Sequence, residues 1–341
     1  MTKWERVKAA LQGGDVDRPP VSLWMNYPLV DQDPVQLAKA HVIFQEKYDL
    51  DFIKLTPFDL YCVEDWGCQI KYFCTKTQSP VIYRHAIEHI SDWRRLKVLL
   101  PTIGTLGKQL IFTRHVKELV KPDVPFVQTV YSPLTIARKL AGERVFEDLR
   151  EDPKILHKAL EVITETTIEF VKANLAAGAS GVFFATACAN HGSLTPDEYE
   201  EFCRPYDLDV LRAASAGWFN ILHIHGSRIM FDELLDYPVH AINWHDCHEY
   251  PPLKQAREMT DKCIIGGLDE AGPISYGNPY QVIQEVATFL RETDLRGVMV
   301  GPGCVTVPNP PENNITTVRL VVERYADKAN WKYLSQDSAC L

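Results

Sequence analysis

Two histidines and one cysteine are the residues of this sequence best suited to hold a catalytic metal. His223 and His225 lie in the apolar run FNILHIHG at positions 219–226, and Cys304 follows the run VMVGPG. In a strand, alternate side chains share one face, so the two imidazoles would lie side by side. Two histidines and a cysteine make a three-ligand set with an open position, as catalytic zinc requires. The alternative is a hydrogen-bonded histidine pair in a polar pocket beside a structural cysteine.

Acid–base groups follow three other apolar runs. His245 and Asp246 come after AINW, Asp269 comes after CIIGGL, and Tyr131 comes after PFVQTV. At strand ends, these side chains could donate or accept a proton during a reaction. His245 could instead be a fourth metal ligand or the partner of one, and Asp246 or Asp269 could hold a loop or cap a helix.

Five further residues could form a substrate pocket around these groups. Aromatic side chains would suit a flat or apolar substrate. They could equally cover the top of a barrel, and a histidine in a loop can simply be exposed to solvent. The candidates are Trp24, Asn26, Tyr27, Asp59 and His191.

Eight short strands would position these residues. The runs are apolar and β-branched almost throughout, as in a parallel sheet that is covered on both faces. They alternate with helical patterns, and this alternation predicts a single (β/α)8 TIM barrel of the α/β class, with its active site where the strands end. The predicted strands are Pro20–Met25, Asp51–Leu55, Pro125–Val130, Gly181–Ala185, Phe219–His225, Ala241–Trp244, Cys263–Leu268 and Gly297–Val300.

Helix signals fall between the strands. Amphipathic stretches predict helices over Pro34–Lys47, Asp152–Ala177 and Asn278–Arg291. Thr195 precedes a proline and two acids, which is the pattern of a helix N-cap. The stretch 56–123 is too long for one crossover, so it predicts an enlarged connection between strands two and three.

Composition excludes several classes of protein. The chain has 341 residues, a net charge of −9 and 46% hydrophobic residues, which is typical of a soluble globular protein. It has no basic stripe for nucleic acid, no apolar run of about 20 residues for a membrane and no glycine-rich nucleotide motif. Without a linker or a repeat, residues 1–341 are expected to form one domain, and without a signal-peptide pattern the expected location is cytoplasmic.

Motifs along nearly the whole chain resemble the uroporphyrinogen decarboxylase superfamily. Each motif is short, but together and in this order they are specific. The resemblance implies a (β/α)8 barrel, in agreement with the strand count. The motifs are Glu5–Leu11, Asp17–Val21, Val124–Phe126, Ser132–Thr135, Leu194–Pro196 with Tyr199 and Pro205–Tyr206, Ile242–Trp244, Gly266–Asp269 and Pro310–Asn313.

The resemblance implies one of two chemistries, and the first is cofactor-free decarboxylation. That branch holds a polyanionic tetrapyrrole with N-terminal arginines, an aspartate and a histidine, and this sequence departs from the pattern. No arginine follows Arg18 in the run VSLWMNY, the family's histidine falls on Gly303, and the aspartate motif is replaced around Lys54. Few cations would face such a substrate. Decarboxylation of a porphyrinogen or a smaller acid, with Asp59 close by, stays an alternative.

The second implied chemistry is methyl transfer from a corrinoid. That branch binds zinc through a His-x-Cys pair and a later cysteine. His223 and Cys304 match two of these ligands, and His225 stands where cysteine is usual. The resemblance then implies that zinc, or another divalent metal, lowers the pKa of a thiol or similar small acceptor, which takes the methyl group.

The sequence also bears on the partners that such chemistry needs. It has no corrinoid-binding Asp-x-His-x-x-Gly motif, so the corrinoid would come from a separate protein. Family members suggest a possible homodimer. Two other functions stay open, a non-catalytic corrinoid- or tetrapyrrole-binding protein and a metal-dependent hydrolase. The hydrolase is disfavoured because the ligand set lacks a carboxylate.

Overall fold

A sheet of seven parallel strands forms the centre of the molecule in a computed structural model, which describes residues 1–73 and 75–327. Seven of the eight predicted strands are confirmed, with ends that shift by at most two residues. The strands follow one another in chain order, except that β2 and β3 form a separate antiparallel hairpin. They are β1 Ile53–Leu55, β2 Gln69–Lys71, β3 Val81–Arg84, β4 Phe126–Tyr131, β5 Gly181–Thr186, β6 Ile221–Ile224, β7 Ala241–Trp244, β8 Cys263–Leu268 and β9 Val298–Pro302.

The predicted first strand, Pro20–Met25, is not a continuous strand. Val21 bridges Val300, and Met25 bridges Thr306, on the β9 side. On the β1 side the segment is held by one backbone hydrogen bond to Val21 and by the Ser22 hydroxyl, which donates to a carbonyl. Because a proline cannot donate and a side chain replaces a ladder bond, the regular pattern breaks. The extended segment nevertheless lies between β9 and β1 and closes the barrel.

Helices cover the outside of the sheet, and the N-cap predicted at Thr195 is confirmed. Asp33, Asp152 and Thr195 each cap the N-terminus of a helix through their side chains, and each is followed by proline. The helices are α1 Lys3–Leu11, α2 Pro34–Lys47, α3 Gly104–Leu119, α4 Pro133–Ala141, α5 Val145–Glu151, α6 Pro153–Ala176, α7 Pro196–Phe202, α8 Arg204–Ala213, α9 Leu253–Met259, α10 Pro273–Tyr276, α11 Pro279–Thr293 and α12 Glu312–Tyr325.

The enlarged connection between β1 and β4 is confirmed. It contains the β2–β3 hairpin and α3, the helix that packs beside α2 and shares a buried apolar cluster with β1. Trp93, from this connection, is buried and donates its indole N–H to Asp148 at 2.7 Å. The insertion is therefore anchored to the barrel wall and not a free loop.

Apolar side chains fill both sides of the sheet. Inside the barrel, Phe52, Val127, Phe183 and Met299 pack into one buried cluster, while a larger cluster joins the outer face of the strands to the helices. This double burial explains why the strands appear in the sequence as nearly continuous apolar runs.

No helix of the described residues is long and apolar enough to cross a membrane. The single domain predicted for residues 1–341 extends past the described residues, since 328–341 lie outside them.

Candidate metal centre

Strand β6 presents two imidazoles at the C-terminal end of the barrel. Ile221 packs in the barrel interior and Leu222 packs outside, so alternation turns His223 inward as well. His225, one residue past the strand, follows on the same side. His223 is buried, whereas His225 is exposed.

The ends of β7 and β9 bring a third imidazole and a thiol to the same place. The Cys304 Sγ lies 3.7 Å from the Nε2 atom of His223 and 3.6 Å from the Nδ1 atom of His225. The Nε2 atom of His245 lies 3.2 Å from that same Nδ1 atom. The four candidate ligand atoms all lie within 4.8 Å of one another.

These distances fit a tetrahedral zinc ion. Zinc bonds of about 2.05 Å to nitrogen and about 2.3 Å to sulfur separate two nitrogens by about 3.3 Å, and a nitrogen from a sulfur by about 3.6 Å. The observed separations are 3.2 Å between nitrogens and 3.6 to 3.7 Å between nitrogen and sulfur. Imidazole and thiolate are also the donors that zinc prefers.

Asn243, on β7, sets the tautomer of His223. The Asn243 amide group donates to the carbonyls of Ile265 and Pro302 at 2.9 and 3.1 Å, which fixes its oxygen toward the Nδ1 atom of His223 at 2.7 Å. The Nδ1 atom must therefore be the donor. The lone pair of the Nε2 atom is left facing Cys304, as a metal ligand requires.

Glu270, just past β8, orients His245 in the same way. Its carboxylate accepts from the Nδ1 atom of His245 at 2.5 Å, so the Nε2 atom faces the cluster. The second carboxylate oxygen of Glu270 is buried without a hydrogen-bond partner among the described residues. A carboxylate behind a ligating histidine is a recurring feature of metal sites, because it raises the basicity of the ligand.

Electrostatics in the cluster favour a thiolate. Burial opposes a charge on Cys304, but the three neighbouring imidazoles bring the pKa of its thiol well below the usual value. Burial lowers the pKa of His223. Burial acts the same way on His245, yet Cys304 and Glu270 raise its pKa to about 10. The thiolate is the form of cysteine that binds metals.

A cavity of about 470 Å³ opens beside the cluster. The three predicted metal ligands line it, whereas His245, the possible fourth ligand, does not. Four other predicted residues line it as well, and the wall between them includes Phe183, Lys54 and four threonines. The predicted residues on the cavity wall are Trp24, Asn26, Asp59, Tyr131, His223, His225 and Cys304.

The remaining predicted site residues lie outside the cavity lining. Tyr27 packs on His41 of α2, with ring centroids 4.6 Å apart. His191 is exposed. Asp246 is buried and accepts from the backbone N–H of Gly267 at 2.8 Å, and burial raises the pKa of its carboxyl to about 7.

Asp269 also lies apart from the cavity, as a loop residue. Its carboxylate accepts from the backbone N–H of Ala271 at 3.0 Å and pairs with His248 at 3.0 Å. These contacts agree with the alternative that was stated for Asp269 from the sequence, namely that it holds a loop.

Sequence reasoning missed two kinds of residue at this site. Asn243 and Glu270 orient the ligands from neighbouring strand ends, and Lys54 and Lys139 bring positive charge to the cavity wall. The sequence did contain one signal, which concerns Lys54. A lysine inside an apolar strand run is expected to be buried, and lysine is almost never fully buried unless it is paired.

Comparisons with known proteins give the family. The sequence pattern of the family described as uroporphyrinogen decarboxylase (URO-D) matches residues 2–325. The methylcobamide:CoM methyltransferase MtbA of Methanosarcina acetivorans is 24% identical over 95% of this chain and 98% of its own length. A uroporphyrinogen decarboxylase of Prochlorococcus marinus is 23% identical over 91% and 94%.

A solved structure has the same fold. A methyltransferase from Methanosarcina mazei matches with a TM-score of 0.83 and 22% identity, covering 95% of this chain and 99% of that one. Because the family pattern also spans almost all of the described residues, the chain belongs to the uroporphyrinogen decarboxylase family.

Proposed function

We propose that this protein is a zinc-dependent methyltransferase that moves a methyl group between a corrinoid on a separate protein and a small acceptor such as a thiol. The observation that carries the proposal is the cluster of His223, His225, His245 and Cys304 beside a cavity. A relative named as a methylcobamide:CoM methyltransferase, aligned over 95% of this chain, supports it.

The chain's own residues would prepare the metal site. His223, His225 and Cys304 would hold the ion from the cavity wall, and His245 would complete the set. Zinc bound there would act as a Lewis acid and lower the pKa of a thiol that reaches it. Because Asn243 and Glu270 already orient the imidazoles, little rearrangement of these ligands is needed.

Polar residues on the cavity wall would accept the proton that the thiol loses. The Tyr131 hydroxyl donates to Asp59, whose carboxylate also lies 2.5 Å from the Nζ atom of Lys139. A thiol loses one proton when its sulfur is methylated, and this linked group could relay that proton to solvent. Asp246 and Asp269 would act only indirectly, through the loops they hold.

The cavity suits a small acceptor and a corrinoid that arrives from outside. Its volume of about 470 Å³ is within the range of small-molecule sites. Trp24 and Asn26 would contact the substrate at the wall. Since the sequence has no Asp-x-His-x-x-Gly motif, we propose a separate corrinoid protein as the partner.

Decarboxylation of a porphyrinogen is less well supported by the geometry. Arg6 and Arg18, near the N-terminus, both bind the buried carboxylate of Asp51, at 2.7 and 2.5 Å, and neither lines the cavity. A substrate with many carboxylates would need such cations. A non-catalytic corrinoid-binding role would not explain why the imidazoles of the cluster are oriented as metal ligands.

The test is methyl transfer by protein loaded with zinc. Methylcobalamin and 2-mercaptoethanol are incubated with wild type and with Cys304→Ala, and loss of the methylcobalamin absorbance is followed. We expect zinc-dependent demethylation by wild type and a loss of at least about 100-fold in the variant, as for removal of a catalytic metal. If the wild-type rate is no higher than that of zinc alone, and if the metal-free protein decarboxylates uroporphyrinogen, decarboxylation would replace methyl transfer as the proposed function.

A further inference from the structure

Gly303 lies where the ends of three strands meet, directly before Cys304. It is buried, and its backbone N–H donates to the carbonyl of Leu268, the last residue of β8, at 3.1 Å. Its φ angle lies outside the left-handed region, so the backbone conformation alone does not require a glycine at this position. The close packing around its Cα atom is what excludes other residues.

A side chain at position 303 would overlap with the end of β7. A Cβ atom there would lie 2.9 Å from the carbonyl oxygen of Trp244 and 3.0 Å from the Cα atom of His245. Carbon atoms in contact normally lie about 3.5 to 4.0 Å apart. Both neighbours are backbone atoms, which cannot turn aside as the tip of a flexible side chain can. Even a methyl group would therefore push the ends of β7 and β9 apart.

The same Cβ atom would also press on the residue that orients His245. It would lie 2.9 Å from the Oε2 atom of Glu270, the carboxylate oxygen that is buried without a partner in the described part of the chain. The other oxygen of this carboxylate accepts from the Nδ1 atom of His245 at 2.5 Å. A side chain at position 303 would thus disturb His245 twice, through its backbone and through Glu270.

The effect would fall on one candidate ligand more than on the others. The three atoms nearest to such a Cβ belong to the ends of β7 and β8, and none belongs to β6, whose end carries His223 and His225. Metal sites tolerate errors of only about 0.2 Å in each bond. Moving Cys304 away from the end of β7 would therefore separate it from His245 first.

We propose that Gly303 is a positioning residue of the candidate metal centre, and that its missing side chain lets His245 come close enough to Cys304 to be the fourth ligand. The inference rests on the proposed function, because it assumes that the cluster binds a metal. Position 303 is also where the decarboxylase branch has its histidine. The overlap excludes that side chain here, so this one position separates the two chemistries.

The test is a double-mutant cycle between Gly303 and His245. Competition with a chromophoric chelator gives the zinc dissociation constants of wild type, of both single alanine variants and of the double variant. Gly303→Ala should weaken zinc binding by about 10- to 100-fold, as loss of an orienting residue does, and should have little further effect once His245 is alanine. Because the overlap lies at the barrel mouth, wild-type circular dichroism is expected for each variant.

Gly192→Ala is the matched control. Gly192 lies in an exposed loop, and a Cβ atom there would meet only the side chains of Arg228 and Asn190, which can move aside. Its zinc affinity should equal that of wild type. An equal loss of affinity in the two glycine variants would overturn the proposal, and so would a loss in Gly303→Ala that persists in full in the His245→Ala background.

Cobalt(II) in place of zinc gives a spectroscopic signature of the fourth ligand. The visible d–d bands shift when an imidazole ligand is exchanged for water. The cobalt spectrum of Gly303→Ala should therefore match that of His245→Ala, while Gly192→Ala should match wild type. A wild-type cobalt spectrum in Gly303→Ala would contradict the positioning role.

A measurement on the metal-free protein separates this proposal from the proposed function. The imidazole N–H of His245 that donates to Glu270 should give a downfield proton resonance, assigned by its absence in His245→Ala. We expect this resonance in wild type and in Gly192→Ala, and its loss in Gly303→Ala. If wild type binds neither zinc nor cobalt but this pattern is seen, the metal centre fails while the positioning of His245 by Gly303 stands. An unchanged resonance in Gly303→Ala would overturn the positioning role itself.

Discussion

The candidate metal centre depends on which nitrogen each histidine turns toward its centre. Asn243 and Glu270 each engage the Nδ1 atom of one histidine, and this leaves the two Nε2 atoms for a metal. Neither residue is a ligand itself. The orientation of the candidate ligands is therefore fixed by side chains that come from two neighbouring strand ends.

Removing Glu270 should weaken zinc binding without removing a ligand. We expect Glu270→Ala to lower zinc affinity by about 10- to 100-fold, because His245 loses the acceptor that fixes its ring. Glu270→Gln should lose less, since its amide oxygen can still accept from the Nδ1 atom. Competition with a chromophoric chelator measures the affinities. Glu258→Ala, an exposed acid on α9, is the control, and an effect there as large as in Glu270→Ala would refute the explanation.

The candidate ligands could be predicted from the sequence, whereas their supporting residues could not. His223 and His225 share one strand, and strand alternation alone brings their side chains to one face. Cys304 needed the further premise that strand ends meet at one face of a barrel. Pairing Glu270 with His245 depends on loop conformations after two strands, and the burial of Lys54 depends on the register of β1. No local pattern in the sequence encodes either of these.

At the scale of elements, the parallel strands were predictable because both faces of the sheet are covered. Strands β4 to β9 are nearly continuous apolar runs, and the structure confirms them to within two residues. The segment Pro20–Met25 is just as apolar, but proline and the Ser22 hydroxyl interrupt its ladder. Hydropathy reports burial of side chains and not the pairing of backbone groups, which explains the difference.

The capping box at the start of α7 provides a test at this scale. Thr195 accepts from the backbone of Glu198, and the Glu198 carboxylate accepts from the backbone of Thr195, at 3.2 and 2.9 Å. Thr195→Ala should reduce the free energy of unfolding by about 1 kcal/mol, measured from the urea midpoint. Thr316→Ala, an exposed position in α12, should be neutral or slightly stabilising, because alanine favours helix. A similar loss in both variants would speak against the cap.

At the scale of the whole molecule, a buried ion network joins the N-terminal region to the barrel. The carboxylate of Asp51 is fully buried and accepts from Arg6, from Arg18 and from the backbone N–H of Val21. These contacts fix α1 and the extended segment against the start of β1. They hold the place where the seven-stranded sheet closes into a barrel.

Replacing Asp51 should therefore destabilise the fold strongly. Asp51→Asn leaves the guanidinium of Arg18 buried without a carboxylate partner among the described residues, and it leaves Arg6 with Asp17 alone, so we expect a loss of about 3 to 5 kcal/mol in the free energy of unfolding. Chemical denaturation followed by circular dichroism measures it. Asp15→Asn removes an acid that is 85% exposed in a surface pair with Arg296, and it should cost less than about 1 kcal/mol. Comparable losses in the two variants would contradict the role given to the network.

The most direct test of the proposed metal centre is the metal content of the purified protein. Wild type, His223→Ala and Cys304→Ala are prepared without a histidine tag, supplied with zinc, freed of excess metal and assayed by elemental analysis. The account predicts about one zinc per chain in wild type and a large loss in both variants, because each removes one ligand of the set. Wild type that retains no metal after zinc is supplied would contradict it. The histidines would then be a metal-free binding or acid–base group, and decarboxylation would become the leading function.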